Sequence, residues 1–190
     1  MQAQAYRCIE YSWAAVGVVW LVSALASKRT ARSETAGSRL WHIATMTAAF
    51  GLFFSTGLPL GPLGWRIVPD SPAFVWVGLA LTVAGCAFAI WVRLLLGSNW
   101  SASVTVKQDH RLIRRGPYTI VRHPIYTGFL LGLLGTALAI GEWRGIAGLV
   151  LAFAGWRKKS RLEETLMLAQ FGTEYIAYER DVKARIPFVL

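Results

Sequence analysis

The sequence predicts an all-α integral-membrane protein with about five transmembrane helices, the last two forming a C-terminal helical hairpin followed by cytoplasmic helices. Three observations carry this expectation. Of 190 residues, 55% are hydrophobic and only 16% charged, whereas soluble globular chains carry roughly 25% charged residues. Mean hydropathy is +0.44, with nine Trp and nine Phe, more apolar surface than a 21.0 kDa soluble chain can cover with polar groups. Finally, apolar runs of spanning length alternate with basic and neutral loops. Disorder, collagen-like repeats and coiled coil are excluded by the same composition.

Three runs are long enough to cross a bilayer, which takes about 20 helical residues. Residues 9–26 are interrupted only by Glu10 at the edge. Residues 40–63 carry His42 near the start and Pro59 and Pro62 near the end. Residues 73–96 contain one charge, Arg93. Two shorter runs, 125–140 and 146–156, joined by Gly141-Glu-Trp-Arg-Gly145, read as a tight hairpin, with a re-entrant pair as the competing reading. Gly128, Gly132 and Gly135 on one arm and Gly145, Gly148 and Ala152 on the other supply small faces that let two helices approach closely in lipid. Residues 101–107 alternate small polar residues with Val, as a short extended segment would. Residues 163–170 and 174–185 read as two cytoplasmic helices hinged at Phe171-Gly172, with Tyr175, Tyr178 and Val182 on one face of the second. The chain is one membrane domain, in which 1–96 supply three spans and 97–190 hold most of the clustered polar chemistry.

Charge sets the expected orientation. Loop 27–39 carries four cations against one acid, loop 97–124 carries five against one, and the tail opens with Arg157, Lys158, Lys159 and Arg161. The remaining connections are close to neutral. This alternation predicts an outside N-terminus and a cytoplasmic C-terminus. It also accounts for the net charge of +10 through topology and removes most of the support for a nucleic-acid partner. Cys8 and Cys86 are too few for a disulfide framework and read as inert small residues. No cleavable signal peptide is expected.

The densest polar stretch is His110–Gly128, HRLIRRGPYTIVRHPIYTG. Pro124 belongs at the first turn of a helix and pushes His123 out of the α region. The exposed N–H groups of that helix start suit an anionic group such as a carboxylate. The plainer alternative makes Arg122 and His123 interfacial anchors and Tyr118 and Tyr126 part of an aromatic belt. Glu163-Glu164 either balances the preceding cations at a helix or holds ribose hydroxyls or an ammonium group. Arg93 either snorkels to the interface or points into a cavity.

GPYTIVRHPIYTG at 116–128, followed by EETLMLAQFGTEYIAYERDVKARIP at 163–187, resembles the isoprenylcysteine carboxyl methyltransferase family and its relatives, the phospholipid N-methyltransferases. The resemblance covers the C-terminal half, from Gly97 to Pro187. It implies an integral-membrane enzyme with a non-Rossmann pocket for S-adenosyl-L-methionine. By the family's pattern the cofactor is held by His110, Arg111, Leu112, Ile113, Tyr118, His123, Pro124, Ile125, Tyr126 and Glu163, with a polar contact near Thr105. The family's substrate-facing cation falls on Lys159, with Arg161 nearby. Glu163 is expected to face the cofactor, and Glu164, about 100° round the same helix, to face elsewhere.

Methyl transfer from a sulfonium is an in-line displacement, so alignment and desolvation are the enzyme's main work. A carboxylate nucleophile is already ionised and needs a cation to orient it; Arg93 is the first candidate and Lys159 the second, with Arg161 close by. An amine would first have to lose a proton. The expected substrate is lipid-borne, a prenylcysteine-like acid met at the cytoplasmic leaflet, and the sequence identifies no protein partner and no metal ligands. Two alternatives stay open: a phospholipid or small-amine N-methyltransferase, and a non-catalytic membrane scaffold retaining the cofactor pocket.

Overall fold

The computed structural model describes residues 1–24, 30–33, 35–55, 59–97, 105–107 and 112–184. Six helices dominate: α1 (Gln2–Ala24), α2 (Ala36–Phe54), α3 (Pro72–Leu96), α4 (Pro124–Ile140), α5 (Trp143–Phe171) and α6 (Thr173–Asp181). Two short strands, β1 (Thr30–Ser33) and β2 (Thr105–Lys107), pair antiparallel across the connections after α1 and after α3. Of the extended segment expected over residues 101–107, Thr105–Lys107 is a strand, and residues 101–104 lie outside the described residues.

Local signals start and stop the helices. Thr35 caps α2 by accepting from the Ser38 N–H at 3.3 Å, and Ser71 caps α3 with Pro72 at its first turn. Helix α2 ends at Phe54, short of the predicted Leu63, because glycines and prolines follow. The Arg144 guanidinium closes that end by donating to the Ser55 carbonyl at 2.7 Å. Gly141 ends α4 in the left-handed region at φ 68°, so the hairpin turns in two residues.

The second hairpin arm differs from expectation. It does not stop at Trp156 but continues through the basic run and the glutamate pair to Phe171, so residues 163–170 are the end of α5 rather than a separate helix. Residues 156–163 contain no Gly or Pro to break it, and Arg, Lys, Leu and Glu are all good helix formers. Gly172, at φ 53°, then makes the break to α6 that the sequence indicated.

Glycine also pairs different helices than predicted. The Gly128, Gly132 and Gly135 face of α4 lies against α3, not against α5. A Cβ on Gly85 would stand 2.5 Å from the Gly128 carbonyl oxygen, and one on Gly78 would stand 2.5 Å from that of Gly135. Helix α5 instead sets Gly148 against Ala49 and Phe53 of α2, while Gly145 meets Ala137 of α4. A buried polar knot ties three helices beside this seam. Trp13 Nε1 donates to Thr136 Oγ1 at 3.0 Å, Thr136 meets Thr82 Oγ1 at 3.2 Å, and Thr82 also reaches the Gly78 carbonyl at 2.9 Å. Paired hydroxyls of this kind satisfy each other where no water is available.

Among the described residues, one helix, α3, is long and apolar enough by length and composition to cross a membrane; α4 is apolar but has only 17 residues. The first half of α1 includes Gln2, Gln4, Arg7, Glu10 and Ser12, and α5 runs on into charge, which lowers both below that mark.

Candidate active site

The site is built where α4 starts. Pro124 occupies the first helical position, and His123 precedes it at φ −123°, ψ 59°, outside the helix. The segment just after α6 pairs alongside: Arg122 N donates to the Lys183 carbonyl and His123 N to the Ala184 carbonyl, both at 2.8 Å. The His123 backbone is therefore held by the C-terminal segment while its ring faces α5.

Helix α5 brings both glutamates to that ring. His123 Nδ1 lies 3.3 Å from Glu163 Oε2, and Nε2 lies 3.0 Å from Glu164 Oε1. Glu163 Oε1 also accepts the Tyr126 hydroxyl at 2.6 Å. The expectation that Glu164 faces elsewhere is corrected. Adjacent helical side chains do point about 100° apart, but the two nitrogens of an imidazole lie on different edges of the ring. Two long carboxylate arms can therefore flank one imidazole. Arg122 holds Glu164 from the other side through Nε at 3.2 Å and Nη2 at 2.8 Å. Arg122 reads from the sequence only as an interfacial anchor, and nothing there pairs it with Glu164. They sit 42 positions apart, and no local pattern links them.

The electrostatics follow from this packing. Burial works against a charged His123, yet hydrogen bonds and charge from Glu163 and Glu164 outweigh it and raise its pKa. Burial likewise opposes ionised Glu164, but His123 and Arg122 draw its pKa down to about 2. Glu163 is also lowered, against its burial, by His123, Lys159 and the Tyr126 hydroxyl. Both ring nitrogens face carboxylates, an arrangement that favours the imidazolium form of His123.

Around this pair the site is aromatic. His123 stacks on Tyr126 at 5.5 Å, Tyr126 on Trp156 at 5.9 Å, and Trp156 on Phe129 at 5.3 Å. Tyr118 is buried below, and its carbonyl accepts the Tyr178 hydroxyl at 2.7 Å. Tyr175, Tyr178 and Val182 do share the buried face of the last helix.

The remaining predicted residues are distributed as follows. Pro124 and Ile125 are buried in the first turn of α4. Leu112 packs under α6, and Ile113 packs against the main core. His110, Arg111 and the side chain of Thr105 lie outside the described residues. Lys159 is half-buried one turn before Glu163, and Arg161 is exposed. Arg93 is 1% exposed and donates to the carbonyls of Gly97 and Ser23, both at 2.9 Å, tying the ends of α3 and α1 together. It therefore does not snorkel to the surface.

The pKa directions set a pH window for this assembly. Glu164 is depressed, so its contribution to stability is present above the ordinary carboxylate range and fades as pH falls toward 2. His123 is raised, so its contribution is present below about pH 6.5 and is lost as pH rises through its folded value. The C-terminal segment should therefore be docked most firmly between roughly pH 5 and 6.5. Tryptic cleavage at Lys183, followed at pH 6 and pH 9, checks the upper arm, and thermal unfolding at pH 3.5 and pH 6 checks the lower. A response flat across all these conditions would refute the linkage.

The helical bundle has a counterpart among solved structures. The fold is similar to that of the eukaryotic intramembrane Ras methyltransferase ICMT, with a TM-score of 0.52 at 23% identity, covering 84% of this chain and 55% of that one. By fold, the protein is thus a predominantly helical bundle built like that structure. Residues 76–169, which contain His123, Tyr126 and both glutamates, match the isoprenylcysteine carboxyl methyltransferase family. Protein-S-isoprenylcysteine O-methyltransferase of Saccharomyces cerevisiae is 32% identical over 120 residues, covering 57% of this chain and 49% of the relative. The Mus musculus protein of the same name is 30% identical over 129 residues, covering 64% and 45%. Protein-S-isoprenylcysteine O-methyltransferase B of Arabidopsis thaliana is 27% identical over 117 residues, covering 59% and 58%. The chain spans about half the length of the curated relatives it matches.

Proposed function

We propose that the protein is an integral-membrane, S-adenosyl-L-methionine-dependent methyltransferase that esterifies the carboxylate of a lipid-borne, prenylcysteine-like substrate at the cytoplasmic leaflet. The single observation that carries this reading is the His123–Glu163–Tyr126 cluster, built on the segment that matches the family. The donor set fits the cofactor. Glu163, 26% exposed at its side chain, offers carboxylate oxygens to hydroxyl or ammonium groups beside the start of α4. The cofactor supplies an electrophilic methyl group on a sulfonium; the chain's residues bind, orient and exclude water. His123, Pro124, Ile125, Tyr126, Glu163, Tyr118, Leu112 and Ile113 form this binding surface, with Thr105, His110 and Arg111 completing it on the family's pattern.

The protonation state favours an ester over an amine product. An amine nucleophile needs a base, and His123 already holds its proton between two carboxylates whose own pKa values are depressed. A carboxylate nucleophile needs none. It needs a cation, and Lys159, one turn before Glu163, is the best placed. Arg161 stands exposed beyond it, and Arg93 lies buried near Tyr118 with donors on two main-chain carbonyls. Incubation with radiolabelled methyl donor plus either a prenylcysteine acid or an ethanolamine lipid tests the reading. Base-labile label on the acid supports it; base-stable label on the lipid alone assigns N-methylation, and no label on either overturns enzymatic methylation of both classes.

The membrane topology proposed is multi-pass, with the basic end cytoplasmic. Exposed tryptophans support two interfaces: Trp41 and Trp91 at the basic end, Trp65, Trp76 and Trp143 at the neutral end. Trp76 and Trp91 lie on one helix, about 22 Å apart along its axis. In a Cys8→Ser background, cysteines at Asp70 and at Arg161 should label from opposite sides of sealed vesicles. Labelling of both from one side would refute the arrangement.

A further inference from the structure

Arg122 is 8% exposed and spends its whole donor fork on three parts of the chain. Besides gripping Glu164 Oε1, Nη2 donates to Glu179 Oε1 at 3.0 Å, and Nη1 donates to the carbonyls of Glu179 at 3.0 Å and Val182 at 2.6 Å. Its own backbone N–H meets Lys183, and Val121 bridges the same residue. One side chain thus joins the start of α4, the charged C-terminal part of α5, and the end of α6 with the segment that follows it. A planar guanidinium can make these divergent bonds at once; an ammonium on a flexible stem cannot.

The shared atom gives the arrangement its meaning. Glu164 Oε1 accepts from Arg122 on one side and lies 3.0 Å from His123 Nε2 on the other. A glutamate on a helix surface has several open rotamers, and burial alone does not choose among them. Arg122 chooses the one that faces His123.

We propose that Arg122 is a positioning residue: it fastens residues 179–184 across the start of α4 and, by gripping Glu164, aims that carboxylate at His123, so that the cofactor pocket is assembled only when the C-terminal segment is docked. The cofactor half of this inference rests on the methyltransferase reading; the clamp itself does not.

The test exploits a sign. The ionisable groups around His123 are Glu163, Glu164 and Lys159 of α5, Tyr126 of α4, Tyr175 of α6, Tyr118 and Arg122. If Arg122 is only a neighbouring cation, removing it relieves repulsion and His123 titrates at higher pH. If it aims Glu164, removing it lets that carboxylate swing into water, and His123, left with Glu163, titrates at lower pH. NMR of ring-labelled protein follows the three histidines, with a His123→Gln variant assigning the signal. In full-length Arg122→Gln the His123 midpoint should fall, trypsin should cut at Lys183 faster, and the Kd for S-adenosylhomocysteine should rise about tenfold. Arg122→Lys keeps the charge without the fork and should behave like Arg122→Gln, which separates geometry from charge and covers the case in which the glutamine variant does not fold. A midpoint that rises or stays put in the folded variants, or tail protection unchanged in both, overturns the proposal. If the unaltered protein binds no S-adenosylhomocysteine, the methyltransferase reading falls, while titration and proteolysis still judge the clamp.

Discussion

Replacing His123 by alanine should raise the Kd for S-adenosylhomocysteine by about a hundredfold while leaving the bundle folded. The ring lies against two carboxylates at 3.3 and 3.0 Å with its side chain 9% exposed, so its loss leaves Glu163 and Glu164 facing one another across a cavity without their shared cation. A hydrogen bond to a charged group contributes about 1.5–3 kcal/mol, and about 2.7 kcal/mol corresponds to a hundredfold in affinity. Like charges left together also push one carboxyl toward its neutral form, which removes the acceptor meant for the cofactor. The bundle survives because α4 is started by Pro124 and seated by its glycines, neither of which needs the imidazole. Titration calorimetry in detergent reads the affinity and circular dichroism the fold. A helical, well-folded His123→Ala protein with an unchanged Kd would return this residue to the role of interfacial anchor. Glutamine at 123 should recover little, since it can neither carry the charge nor reach both carboxylates.

The second large effect lies in the bundle. Gly85→Ala adds one methyl group where a Cβ would stand 2.5 Å from the Gly128 carbonyl and 2.8 Å from the Gly132 Cα. Both obstacles are backbone, so no side chain can turn aside; α3 and α4 must separate. Overpacking a tight core costs about 1–3 kcal/mol even where side chains can adjust. Here the displaced helix also carries Thr136, whose bonds to Trp13 and Thr82 would stretch with it. Gly85→Ala should therefore lower the unfolding midpoint in detergent by several degrees or prevent recovery of folded protein, and Gly85→Val should do so more severely. The same substitution at Gly17, which has open space around it, is the control and should be neutral or slightly stabilising. Equal midpoints for Gly85→Ala and Gly17→Ala would mean the seam is looser than its geometry.

Much of this architecture could be read from composition and spacing alone. Helix α3, the hairpin turn at Gly141, the helix start at Pro124 and the break at Gly172 follow from local chemistry: an unbroken apolar run, a left-handed glycine, a fixed proline φ. The His-Pro helix start and the paired glutamate mark a place in one dimension, but the candidacy of His123, Tyr126 and Glu163 came from the family resemblance of residues 116–128 and 163–187. The alternation of basic and neutral loops, likewise, is a property of the chain before it folds.

What the tertiary structure decided is which partner each of these features meets. The small residues of α4 announced a close approach, yet only packing showed that α3 and not α5 fills it, because a glycine stripe specifies how near a neighbour comes and not which neighbour it is. Arg122 looked like an interfacial cation, and Glu164 like the outward half of a pair. Their junction depends on where a third segment, residues 179–184, is laid across α4. Electrostatic pairs between segments 42 to 60 residues apart leave no periodic trace in a sequence, because their geometry is set by long-range folding. His123 shows the division most clearly: its backbone bend was dictated by the residue that follows it, and its charge by two carboxylates that only the fold brings to its ring.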